Sequence, residues 1–114
     1  MYEEWRCAQR HSFIATAEVE GSGDARSASV ADLGAFGCYL KMSDPFSKGA
    51  SVLVKIRTNT EFFQSWARVA HSTFGIGMGV EFDDVSRPFQ IVLQRWLFEA
   101  QQEIAQHFKV GQLN

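Results

Sequence analysis

Apolar and polar residues alternate along much of this chain. Within residues 12–20, Phe13, Ala15, Ala17 and Val19 fall on one side and Ser12, Ile14, Thr16, Glu18 and Glu20 on the other. That is the period-2 pattern of a half-buried strand. Gly21-Ser22-Gly23-Asp24 is a turn sequence, so residues 25–33 are expected to pair back as a second strand. Two glycines and an acid interrupt the pattern between Asp32 and Gly37, after which residues 38–42 resume it. Asp44-Pro45 and Lys48-Gly49 bound a loop, and Val52, Val54 and Ile56 then share one face of residues 51–57. Residues 61–71 and 76–82 form a further hairpin through residues 72–75. Short strands at even spacing predict a small sandwich or barrel.

The tail changes period. Phe89, Val92, Leu93, Trp96, Leu97, Ala100, Ile104 and Phe108 recur at three- and four-residue steps, an apolar stripe on one helix face. Ser86 or Asp84 can cap this helix, Pro88 sits in its first turn where a missing N–H matters little, and Gly111 stands past its end. The chain thus divides into an arm, residues 1–11, a β-barrel, residues 12–85, and a helix, residues 86–109. All three belong to one domain.

Composition narrows the function classes. The 114 residues are 46% hydrophobic and 21% charged, with ten phenylalanines, nine glycines and only two prolines. The chain is rich enough in apolar residues to fold, and its aromatic content suits sheet surfaces. Net charge is −2, so there is no basic field of the kind that holds DNA or RNA. No uncharged apolar run approaches the ~18 residues of a membrane span. Met1 to Arg6 lacks the basic-then-apolar order of a secretory signal. Cys7 and Cys38 form neither a metal-type pair nor a disulfide framework, which suits a reducing cytoplasm.

Catalytic chemistry finds little support. His11, His71 and His107 stand in unrelated contexts, without metal-ligand spacing and without an evident nucleophile to activate. No enzyme activity, metal or cofactor is expected. Gly75-Ile76-Gly77-Met78-Gly79 runs into another strand rather than opening a helix, so it is not a dinucleotide fingerprint.

Two short elements carry more information together than apart. Arg6 and Arg10 form an R-x-x-x-R immediately before the first strand, and Asp32 to Gly37 form a D-x-x-x-x-G between strands. In that order, followed by Gly37-Cys38-Tyr39-Leu40, then Gly77-Met78-Gly79-Val80-Glu81-Phe82 and a helix, the chain resembles the PilZ domain family. The resemblance implies a six-stranded antiparallel β-barrel with a C-terminal α-helix across one mouth, and a receptor for cyclic di-GMP. It further implies that Arg6 and Arg10 grip phosphates and guanine faces. Asp32 would accept hydrogen bonds from a guanine edge, and Gly37 would keep the strand surface clear beneath the ligand. Arginine is chemically suited to this, with a planar fork for phosphate oxygens and a face that stacks on bases.

The chain departs from the family pattern at one point. Gly34 stands where D/N-x-S-x-x-G has serine, which removes a hydroxyl contact of about 0.5–3 kcal/mol. Two readings are open: a receptor that changes conformation on binding cyclic di-GMP and signals to a downstream protein, or a degenerate PilZ-like module that binds partners and no nucleotide. The arm, with few apolar residues, is expected to be mobile without ligand and to order on phosphate.

A helix from Ser86 to Phe108 would run about 34 Å, longer than a small barrel covers, while Ala100, Ile104 and Phe108 continue its apolar stripe. Either the helix bends back onto the barrel or the stripe is buried in a second subunit, and of the two a homodimer through this helix is the expectation. Light scattering should show a dimer that Ile104→Glu dissociates; a monomer indifferent to that substitution would rule it out.

Overall fold

A computed structural model describes residues 10–113 of the backbone, with side chains through residue 102. Six antiparallel strands are followed by one helix: β1 (Arg10–Gly21), β2 (Asp24–Gly34), β3 (Gly37–Lys41), β4 (Ser51–Arg57), β5 (Phe62–Thr73), β6 (Gly77–Phe82) and α1 (Arg87–Leu113). The strands close into a barrel in the order β1-β2-β3-β6-β5-β4, with β4 pairing back onto β1. The expected six-stranded barrel with a C-terminal helix is the architecture observed.

The alternation read from the sequence is realised as inside and outside. Val19 on β1, Val52, Val54 and Ile56 on β4, Phe63 on β5 and Met78 on β6 are wholly buried. Glu18, Lys55 and Arg68 stand on the outer wall or at its rim. There Lys55 meets Glu20 at 2.6 Å across the β1–β4 pair. The β1–β2 hairpin closes through Ser22 and Gly23, both at positive φ (52° and 77°), the requirement of a two-residue turn that follows the strand twist.

Strand limits differ from the sequence reading in small ways. β1 begins at Arg10 rather than at residue 12, so Arg10 and His11 are strand residues paired with Gly34 and Leu33. The last hairpin turns through Phe74-Gly75-Ile76 rather than residues 72–75, with Gly75 donating to the Ser43 carbonyl and Met42 to that of Ile76. Pairing with neighbouring loops, which no local pattern encodes, sets these ends.

The helix packs over the barrel end where β1 and β5 begin and β6 ends. Among the described residues Trp96 and Leu93 are its buried ones, and Phe89, Val92 and Leu97 are half-buried beside them. Phe63 is the hub, with ring centroids 5.1 Å from Phe82, 6.0 Å from Phe89 and 6.1 Å from Trp96. Phe13 packs on Trp96 from the β1 side at 5.0 Å. The indole N–H of Trp96 donates to Glu61 Oε1 at 2.8 Å, and Arg95 pairs with the other oxygen of the same carboxylate. One acid in the β4–β5 loop therefore holds two successive helix residues.

Ser86 precedes the helix, and its carbonyl accepts from the N–H groups of Phe89 and Gln90. Pro88 is the second helical residue, where no intrahelical N–H bond is lost. The helix runs through Gly111 instead of ending before it. A lone glycine costs a helix only about 1 kcal/mol against alanine, and no proline follows to stop it. Ala100 is half-buried, whereas the Ile104 and Phe108 side chains, on which the dimer expectation rests, lie outside the described residues. The arm preceding Arg10, with Arg6, lies outside them too.

Truncating the hub should be costly. Phe63→Ala is expected to remove about 3–5 kcal/mol by leaving a cavity between barrel and helix, a large part of the 5–15 kcal/mol typical of a domain. Urea unfolding monitored by tryptophan fluorescence would measure it; a loss below about 1 kcal/mol would show that the aromatic cluster does not organise the fold.

Candidate functional site

Three β-bulges shape one side of the barrel wall. Register shifts fall between Ser12 and Ala15 on β1, between Val30 and Asp32 on β2, and between Val69 and His71 on β5. An extra residue in a strand re-aims the side chains beyond it. On β2, Val30 faces the core and strict alternation would send Asp32 inward as well. The extra residue, Ala31, places Leu33 in the core instead and leaves Asp32 half-exposed. On β5, residues 63, 65, 67 and 69 are buried in turn, yet His71 is exposed because Ala70 is the added residue.

The bulges produce a single row across the outer wall. Ser12 pairs with Asp32, Asp32 with Tyr39, Tyr39 with Gly79 and Gly79 with His71. Arg10, two residues before Ser12 on the same face, reaches Asp32 with Nη1 2.8 Å from Oδ1. Both side chains are about one-third exposed (32% and 36%). A cleft of about 210 Å³ lies beside this pair, lined by Arg10, Asp32, Tyr39, Ala70, His71 and Gly79. The structure thus brings together Arg10 and Asp32, two of the residues singled out in the sequence.

The two glycines of that set have other positions. Gly37 is buried at the start of β3 and does not line the cleft. A Cβ there would fall 2.0 Å from the Val80 carbonyl oxygen, so its observed duty is to let β3 approach β6. Gly34 ends β2 directly opposite Arg10 and is not among the described residues with positive φ. Directly paired residues project to the same face, so a side chain at position 34 would stand beside Arg10.

Sequence reasoning did not single out Tyr39, His71 and Gly79, which line the same cleft. The His71 and Tyr39 rings stack with centroids 5.9 Å apart and planes 24° apart. Gly79 makes this possible, since a Cβ there would lie 2.3 Å from His71 Nε2. The available signal was the glycine spacing of residues 75–79, which reads as strand packing until the register is known.

Cys38 lies under the site. It is wholly buried, next to Tyr39 on β3 and paired with Leu33. Burial pushes its thiol up from 9.0 to about 12, with the Arg10 cation pulling the other way and Asp32 adding to the rise. Among the described residues no group of three or more His, Cys, Asp or Glu side chains could hold a metal ion. Nor is any helix among them long and apolar enough to cross a membrane.

A small closed barrel with a helix over one end, and an arginine–carboxylate cleft on its wall, defines an all-β binding module. The chain belongs to the PilZ domain family, whose model matches residues 4–99. Solved structures share the fold. The PilZ domain with c-di-GMP of YcgR from Escherichia coli is 15% identical with a TM-score of 0.74, the match covering 91% of this chain and 97% of that one. The inhibitor of motility MotI/DgrA from Bacillus subtilis is 16% identical with a TM-score of 0.74, over 86% of this chain and 52% of its own length. The PilZ domain of CeSA from a cellulose-synthesizing bacterium is 21% identical with a TM-score of 0.66, over 82% and 98%. The chain therefore spans about half of MotI/DgrA and nearly all of the isolated PilZ domains. No curated protein matches it.

The buried thiol gives a prediction with a definite sign. The folded state holds the Cys38 proton to higher pH than the unfolded chain does, so its contribution to stability is complete below about pH 9 and is lost as pH rises towards 12. Peptide mapping after iodoacetamide at pH 9 should find Cys38 unmodified in folded protein and alkylated in urea. Rapid modification of the folded chain would refute its enclosure.

Proposed function

We propose that this chain is a receptor for cyclic di-GMP, without catalysis of its own, that passes the signal to a downstream protein. The observation that carries this reading is the Arg10–Asp32 pair on the outer wall, in the motif order of the PilZ family. Arg10 supplies a planar cation for the ligand's phosphates, and Asp32 supplies an acceptor for the adjacent N–H donors of a guanine edge. A partly exposed ion pair is worth only about 0–1 kcal/mol, so the Asp32 contact by itself is a weak competitor for a dianionic ligand. Arg6, four residues earlier in the chain, is the second phosphate contact. Its engagement changes the surface that a partner protein meets. The crystal structure of YcgR in complex with c-di-GMP, 15% identical over 96% of this chain, supports the ligand class.

Gly34 favours the second reading, a module that binds partners and no nucleotide, because the motif's serine hydroxyl is missing beside Arg10. Isothermal titration of the purified chain with cyclic di-GMP separates the two. Binding is expected, weakening with salt. Arg10→Ala should lose at least ~2 kcal/mol, about thirtyfold in affinity. Gly34→Ser should tighten binding up to about tenfold, since position 34 lies in a strand without the positive φ that would strain serine. Absence of heat near millimolar ligand would overturn the receptor and leave the interaction module.

A further inference from the structure

Recognition by Arg10 and Asp32 leaves two rings of the same wall without a task. Tyr39 and His71 occupy the row that contains Asp32 and line the same cleft, yet neither belongs to the barrel core. His71 is exposed, and the extra residue at Ala70 is what turns it outward instead of into the interior. Gly79 leaves the space that its imidazole fills, with Nε2 only 2.3 Å from where a Cβ would be. Tyr39 backs the imidazole in a near-parallel stack, 24° between planes. Tyr39 is itself held close to β6, where its hydroxyl lies 3.1 Å from the place a Cβ on Gly77 would take.

We propose that His71, backed by Tyr39, is the surface on which one guanine of the ligand rests. It is then a ligand-binding position of the cleft that adds affinity. The inference rests on the cyclic di-GMP reading above and deepens it. An imidazole fixed by a stack and by the strand beneath loses little freedom when a base settles on it, and this is the condition under which stacking adds affinity. Stacking accepts any base, since each has a π-face. The choice of guanine falls to Asp32 at the edge, with Arg10 on the phosphate. The cleft then offers one feature for each part of half a cyclic dinucleotide: a cation, a carboxylate and a flat ring.

Titration of the full chain with cyclic di-GMP tests this, comparing wild type, Arg10→Ala, His71→Ala and His71→Phe. His71→Ala should weaken binding by at least about fivefold, and His71→Phe, which keeps a flat ring, should restore it. Thermal midpoints should stay near wild type, as befits an exposed position. If the alanine variant does not fold, His71→Leu takes its place: loss with leucine and retention with phenylalanine supports the platform, and equal affinities overturn it. Wild-type affinity in His71→Ala, with binding lost in Arg10→Ala, would overturn the platform while leaving the receptor standing. Absence of binding in the wild type itself would overturn both.

Discussion

A closed barrel allows each strand residue only two destinations, the core or the outer wall, and one extra residue exchanges them for everything beyond it. The candidate site of this protein depends on that constraint. Were Ala31 held in regular register instead of bulged, strict alternation from Val30 would aim Asp32 into an apolar interior, where an ionised carboxylate is costly. Were Ala70 likewise in regular register, His71 would follow Phe63, Ser65, Ala67 and Val69 inward. The bulges put the acid and the imidazole on the same wall as Arg10, while Leu33 still fills the core. Core packing and site geometry are therefore settled by the same few register shifts.

Close backbone contact is the second requirement of this wall. Gly37 and Gly79 both sit where a Cβ could not, but against different neighbours. At Gly37 the obstacle is the Val80 carbonyl, at Gly79 the His71 ring. One glycine allows two strands to meet, and the other allows a side chain from one strand to lie over the next. The buried Cys38 belongs to the same economy of space. Its small side chain occupies the core position under the ion pair and stays protonated because water is excluded there.

The end of the barrel under the helix is organised by a different interaction. Phe63 gathers Phe82, Phe89 and Trp96, and Glu61 fixes the helix by accepting from Trp96 and pairing with Arg95. Because the helix packs on β1 and β5, it rests on two of the strands that carry the wall residues Arg10 and His71. The PilZ fold thus places a packed core and helix behind a shallow cleft on its outer wall.

Much of this was legible in the sequence because it is periodic or local. Alternation in residues 12–20 and 51–57 identifies the inward faces, Ser22 and Gly23 announce their turn, and the stripe from Phe89 to Ala100 marks the helix. The order of Arg10 and Asp32 in a family motif pointed to their meeting, which the β1–β2 pairing brings about. Tyr39 and His71 were not legible. They stand far apart in the chain, and they meet because β6 lies between β3 and β5 and because Ala70 shifts the register. Composition and periodicity determine which residues prefer water and which avoid it. Only the closed sheet, which must pair every strand and pack one core, decides which of the outward residues become neighbours.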